Sequence, residues 1–190
     1  MRLLSREDEL ARLAAERRDM SAIATFYLFD KSALESLVNK PVATPQKAGL
    51  LKNLFGNREP SPQKLFADEF YTAGKQVADF EYSGHAFPHL ELFLEERFSI
   101  GVNSHLEADL THRLEANVGP CQAFEAAGAS GLLRKLSAIT ISSTDLQAYA
   151  DDEFGDDQGE MVAALESAFN SLKSWLAQIN TGQIGVLING

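Results

Sequence analysis

The chain has few of the features that most directly reveal a function. Its 190 residues include one cysteine and one tryptophan, and 17 basic residues stand against 27 acidic ones, a formal net charge of −10. A single cysteine excludes an intramolecular disulfide and favours a reducing compartment. The shortage of Lys and Arg disfavours general binding to nucleic acid or anionic lipid, because phosphate contacts need cations. The remaining composition, 45% hydrophobic and 23% charged, is typical of a globular domain.

Long apolar runs are also missing. The N-terminus becomes charged soon after Leu4, and the longest apolar runs, 22–29 and 184–188, are too short to cross a bilayer. Together with the lone cysteine, these observations predict a cytoplasmic protein that has no membrane partner.

Motifs of the common enzyme classes are absent as well. There is no Walker A sequence, no G-x-G-x-x-G and no G-x-S-x-G. We interpret Cys121 as a small packed hydrophobe rather than a nucleophile. His85 and His89 have the four-residue spacing of a helical metal pair, but Ala86 stands where a zincin motif has its glutamate. We therefore predict no catalytic residue, metal or cofactor; the alternative is a small hydrolase or metal-dependent enzyme that uses His85 and His89 with nearby carboxylates.

The two ends of the chain carry the β-rich runs. Residues 22–29 are continuously apolar without alternation, which is typical of a strand covered on both faces, and 184–188 form a second such run. Helix signals lie between them. We predict an α+β fold in which a small sheet includes strands 22–29 and 184–188 and is covered by about six or seven helices. Residues 1–19 are predicted to be an N-terminal helical extension, and 20–190 a single α+β domain.

Helix starts are marked by capping residues. Asp30 is placed to cap a short helix, and the pairs Thr44-Pro45 and Ser61-Pro62 are typical of helix beginnings. The predicted helices that follow include 45–55, 62–78 and 83–98, one that begins at the capping box Ser104–Glu107, and one capped by Ser143 or Thr144. The small residues 126–131 are predicted to form a loop.

The last helix has the clearest periodicity. Apolar residues recur at alternating steps of three and four from Val162 to Ile179. The seam is too short to favour a coiled coil, so we predict that it packs against the core of the same chain.

Acidic residues are concentrated toward the C-terminus. Residues 141–190 hold one basic and eight acidic residues, and the register of their glycines does not match an EF-hand loop. Two interpretations remain, a solvated loop with helix-start charges or a docking face for a basic protein. Under the second interpretation the predicted partner-binding residues are two aromatic anchors and five acids: Tyr149, Asp151, Asp152, Glu153, Phe154, Asp156 and Asp157.

The C-terminal third resembles a known family. The helical run 160–176, the glycine turn that follows it and the closing strand Ile184–Gly190 resemble the end of YfbM-like proteins. The opening strand 22–29 and the segment 82–96 stand in the expected order. This resemblance implies an α+β fold and a bacterial cytosolic protein that is not a standard enzyme.

Charge and resemblance together lead to one functional hypothesis. A strongly acidic surface steers basic proteins toward it and raises their association rate. Small acidic bacterial proteins of this kind often serve as antitoxins or immunity proteins. The sequence therefore predicts a non-catalytic binding protein that neutralises a basic toxin, and no nucleic acid among its partners.

Overall fold

The computed structural model describes residues 23–40, 61–104, 106–155 and 158–189. The predicted extension 1–19 and the predicted helix 45–55 lie outside the described residues. The strands are β1 (Ala24–Asp30), β2 (Lys75–Asp79), β3 (Cys121–Glu125) and β4 (Gln183–Asn189). The helices of the described residues are α1 (Lys31–Val38), α2 (Pro62–Ala73), α3 (Ala86–Phe98), α4 (Ala108–Val118), α5 (Ala126–Ser137), α6 (Ser143–Phe154) and α7 (Gly159–Leu176).

The four strands form one sheet in the order β2-β1-β4-β3, and every neighbouring pair is antiparallel. The strands from the two ends of the chain lie side by side at its centre, with Phe26 opposite Leu187. The structure thus confirms the predicted α+β fold and both predicted strands.

Helices cover both faces of this sheet, which explains the continuous apolar character of β1. Side chains of a strand point alternately to its two faces. Phe26 and Leu28 lie in one hydrophobic cluster, whereas Tyr27 and Phe29 lie in the other. Each face is therefore buried, and no position in the middle of the strand is left for a polar residue.

The larger helical layer consists of α3, α5, α6 and α7. At its centre the ring of Trp175 stacks on Phe26 at 5.3 Å between centroids and on Phe87 at 5.4 Å. The predicted seam of the last helix is buried here, with Leu165 and Leu172 almost fully covered. Core packing, rather than a coiled coil, is thus confirmed for this seam.

The smaller layer consists of α1, α2 and α4 on the opposite face. Phe70 of α2 is fully buried and lies 4.5 Å from Phe29 between ring centroids. Asp30 begins α1 as predicted, because its carboxylate accepts hydrogen bonds from the backbone N–H groups of Ser32 and Ala33.

The prediction of one helix over 62–78 is correct as far as Ala73 and wrong beyond it. Helix α2 ends at Ala73, and 75–79 form the edge strand β2. Gly74 lies so close to β1 that a Cβ atom there would be 2.5 Å from Cζ of Phe29. Backbone pairing with β1 therefore outweighs the helical periodicity of this segment.

The region after α4 also differs from the prediction. Strand β3 was not anticipated, and 126–131 belong to helix α5 rather than to a loop. Within this segment Ala129 is fully buried in the core, whereas a Cβ atom placed on Gly131 would have no neighbour within 4 Å. Ser104 does not cap a helix: its hydroxyl accepts a hydrogen bond from the backbone N–H of Ala123. The cap of α6 is Ser142, in a capping box with Asp145, and not Ser143 or Thr144.

Candidate functional site

Helices α3 and α6 both pack against α7 in the larger layer, and their side chains meet at two aromatic contacts. The ring of His89 contacts Phe154 at 4.6 Å between centroids, and Phe93 contacts Tyr149 at 5.4 Å. Residues further along α3 thus contact residues nearer the start of α6, as in two helices that run in opposite directions. We call this region the α3–α6 junction.

The last turn of α6 carries three successive carboxylates, Asp151, Asp152 and Glu153, which we call the acidic turn. Asp152 and Glu153 are exposed, and Asp151 is half-buried and accepts a hydrogen bond from the amide of Gln147 at 2.6 Å. None of the three forms an ion pair with a described residue. The predicted contact residues Asp156 and Asp157 lie outside the described residues.

The ion pairs of the described chain lie elsewhere. Each involves the smaller helical layer: they are Lys31–Glu35, Lys31–Glu125, Lys40–Glu69, Lys64–Asp68 and Arg113–Asp109. The ion pairs of the described residues thus involve the smaller layer, whereas the three carboxylates of the acidic turn form none.

The position of the acidic turn is also unfavourable for the helix itself. The C-terminal end of a helix carries a partial negative charge and favours cations. No basic residue occupies the last turn of α6, where three acids stand instead. The intrinsic stability of α6 therefore does not explain these residues.

Tyr149 does not occupy the exposed position that an interface anchor needs. Its side chain is 3% exposed and packs in the core against Phe93. Its hydroxyl is nevertheless buried without a hydrogen-bond partner among the described residues. Burial, followed by the charges of Glu153 and Glu96, raises the pKa of Tyr149 to about 12, so the phenol stays protonated at neutral pH.

Phe154 lies half-buried beside His89, at the same end of the junction as Glu153. Burial lowers the pKa of His89, His85 adds to this effect, and the carboxylate of Glu153 opposes it. The Nδ1 atom of His89 is buried and has no hydrogen-bond partner among the described residues. The junction therefore combines unpartnered polar atoms with uncompensated carboxylates.

Two contributors to this junction, His89 and Glu96, were absent from the predicted contact face. They are seven residues apart, which places them on the same side of α3. That spacing indicates a shared face, but only the packing of α3 against α6 shows that the face adjoins Tyr149 and Glu153.

The side chains considered for catalysis are dispersed. Cys121 is buried in the smaller layer, and burial followed by the charge of Glu115 raises the pKa of its thiol to about 12. A thiol of this kind is a poor nucleophile. His85 is exposed at the start of α3, and the described residues contain no group of three His, Cys, Asp or Glu side chains placed to hold a metal ion.

These features define an α+β protein whose four-stranded antiparallel sheet lies between two helical layers. No family model, curated protein or solved structure matches this chain. The resemblance to YfbM-like proteins therefore stays a prediction. Among the described residues, no helix combines the length and apolar character that spanning a membrane requires.

Proposed function

We propose that this protein is a non-catalytic binding protein whose acidic turn contacts a basic protein partner. The particular role we propose is that of a bacterial immunity protein or antitoxin, which acts in the cytoplasm and neutralises a basic toxin. The observation that carries the proposal is the set of three adjacent carboxylates at the C-terminal end of α6, none of which forms an ion pair with a described residue.

Two physical arguments support this role. First, residues 141–190 have a net charge of −7, and a field of one sign accelerates encounter with an oppositely charged protein. Second, carboxylates at the negative end of a helix destabilise it. A contact with an external cation would offset both the repulsion between these carboxylates and their unfavourable interaction with the helix dipole. A basic partner supplies what the fold itself lacks at this place.

The proposal is tested by affinity capture with the full chain, followed by association kinetics with the purified partner. We compare wild type with the triple variant Asp151→Asn, Asp152→Asn and Glu153→Gln. We expect roughly tenfold slower association at low salt and a flatter salt dependence, because exposed charges act mainly on the association rate.

A matched control removes the same number of acids from the smaller layer: Asp68→Asn, Glu69→Gln and Asp109→Asn. These acids pair with cations of the chain itself. The control should associate nearly as fast as wild type. Equal association rates for the acidic-turn variant and wild type would refute the proposal.

A further inference from the structure

A cavity of about 270 Å³ lies in the larger layer, between α7 and the link 138–142 that joins α5 to α6. Its apolar wall is formed by two half-buried residues of the link and two buried residues of the neighbouring helices: Ile139, Ile141, Leu146 and Phe169. Drug-sized ligands occupy pockets of about 300–1,000 Å³. The cavity therefore suits a smaller organic molecule.

One cation lines this cavity. Lys173 is the single basic residue of 141–190, and it borders the cavity from α7. Its ammonium group lies 5.0 Å from the centroid of the Phe169 ring, which is a cation–π contact. Side chains four residues apart on a helix are neighbours and lean toward its start, so the spacing favours this arrangement. The ammonium group is thus held beside the apolar wall.

The surroundings of Lys173 differ from those of most lysines in the described chain. Lys31, Lys40 and Lys64 each pair with a carboxylate, whereas Lys173 is half-buried and forms no ion pair with a described residue. Glu166 also lines the cavity, but it precedes Lys173 by seven residues. Two helical turns, about 10 Å along α7, separate the two residues. The ammonium group therefore remains available to an anion that enters the cavity.

The polar residues of the cavity select the kind of anion. An ammonium group donates hydrogen bonds and accepts none, so the polar end of the ligand must be an acceptor. Asn170, which lines the cavity one turn before Lys173, can donate a further hydrogen bond from its carboxamide. Glu166 repels a second negative charge. This repulsion disfavours dicarboxylates, and also phosphate groups, which carry almost two charges at neutral pH.

We propose that this cavity binds a short monocarboxylate with a branched aliphatic chain. The carboxylate accepts hydrogen bonds from Lys173 and Asn170, and the aliphatic chain packs on Ile139, Ile141 and Phe169. The site involves none of the residues of the acidic turn. The proposal therefore goes beyond the proposed function and does not depend on it.

The test titrates the full chain, labelled at its isoleucine methyl groups, with sodium isocaproate and follows the methyl signals by NMR. We expect saturable shifts for Ile139 and Ile141, and none for Ile184, which is buried in the cluster of the smaller layer. Isocaproamide has nearly the same shape without the charge and should bind at least about fivefold more weakly. Acetate, which lacks the aliphatic chain, should also bind more weakly.

The decisive variant is Lys173→Gln, which removes the ammonium charge and keeps most of the side chain. It should fold as wild type does, which far-UV circular dichroism reports, and should bind isocaproate at least about fivefold more weakly. The matched control Lys75→Gln removes the same charge from an exposed position in β2 and should leave affinity unchanged. The pair separates a local contact from an effect of net charge.

Absence of saturable shifts at Ile139 and Ile141, equal binding of isocaproamide, or wild-type affinity in folded Lys173→Gln would each overturn the proposal. The comparison of isocaproate with isocaproamide uses the wild-type chain, so it decides the question even if the variant does not fold. Failure of the proposed function is a separate result. It would appear as unchanged association of the protein partner with the acidic-turn variant, whatever isocaproate does.

Discussion

Burial sets the chemistry of single side chains at the α3–α6 junction. Tyr149 and Tyr71 are the same residue type, yet Tyr149 is 3% exposed and Tyr71 is 46% exposed. A buried phenol without a partner loses its hydration and keeps its proton, whereas an exposed one can bond to water. His89 differs from an isolated histidine for the same reason, because the protein around it disfavours its charged form.

The state of His89 predicts how stability depends on pH. Because burial lowers the pKa of His89 in the folded state below its usual 6.5, the unfolded state binds a proton more readily. The free energy of unfolding therefore falls as pH decreases through 6.5, until the folded state is also protonated. The carboxylate of Glu153 on α6 limits this effect, and His85 before α3 adds to it.

Urea unfolding of wild type and His89→Gln between pH 7.5 and about pH 5 measures this dependence. The neutral amide binds no proton in this range, so the variant should lose less stability on acidification than wild type. The same loss in both proteins would show that His89 does not contribute.

At the scale of the element, the two ends of α6 differ: its N-terminal residues stabilise the helix and its C-terminal residues destabilise it. Ser142 and Asp145 form a reciprocal capping box at its start, with the N–H of Asp145 at 3.1 Å from Oγ of Ser142. The acidic turn at its other end places three like charges against the negative pole of the helix. Capping stabilises the helix from one side, and the acidic turn destabilises it from the other.

The acidic-turn variant should therefore be more stable than wild type. Replacement of Asp151, Asp152 and Glu153 by their amides removes mutual repulsion and the conflict with the helix dipole. We expect about 0.5 kcal/mol of added stability, a small value because solvent screens these side chains. Thermal unfolding at low salt measures it.

The smaller-layer control should not show this gain in stability. Its acids, Asp68, Glu69 and Asp109, form ion pairs, so their amides should leave stability unchanged or slightly lower. Lower stability in the acidic-turn variant would contradict the argument that Asp151, Asp152 and Glu153 destabilise α6.

At the scale of the whole molecule, one sheet joins two hydrophobic clusters. Neighbouring residues of β1 belong to different clusters, as Phe26 and Tyr27 do. Loss of either helical layer would expose one face of the same strands to water. The two clusters are therefore expected to unfold together.

Large-to-small variants in each cluster test this cooperativity. Leu34→Ala in the smaller layer and Leu165→Ala in the larger layer each remove a fully buried side chain. Each should reduce the free energy of unfolding by about 2–5 kcal/mol. Fluorescence of Trp175, in the larger layer, and far-UV circular dichroism should report the same single transition in both variants. Separate transitions for the two probes would indicate two independent units.

Elements marked by local chemistry were predictable from the sequence. These elements are the apolar run of β1, the cap at Asp30 and the periodic helix α7. Each is determined by residues that are close together in the sequence, so a local pattern reveals it. Elements that depend on distant partners were not. Strand β2 exists because it pairs with β1, and the hydroxyl of Ser104 serves the backbone of Ala123 rather than a helix start.

The candidate site divides in the same way. The sequence by itself determined the excess of acidic residues, the lack of a disulfide and the α+β character, since these depend on composition and short-range pattern. Only the tertiary structure decided that Tyr149 is buried near Glu96, that His89 contacts Phe154, and that the ion pairs of the described residues involve other acids. The physical reason is that burial and electrostatic neighbours are set by which helices pack together, and those contacts join residues far apart in the chain.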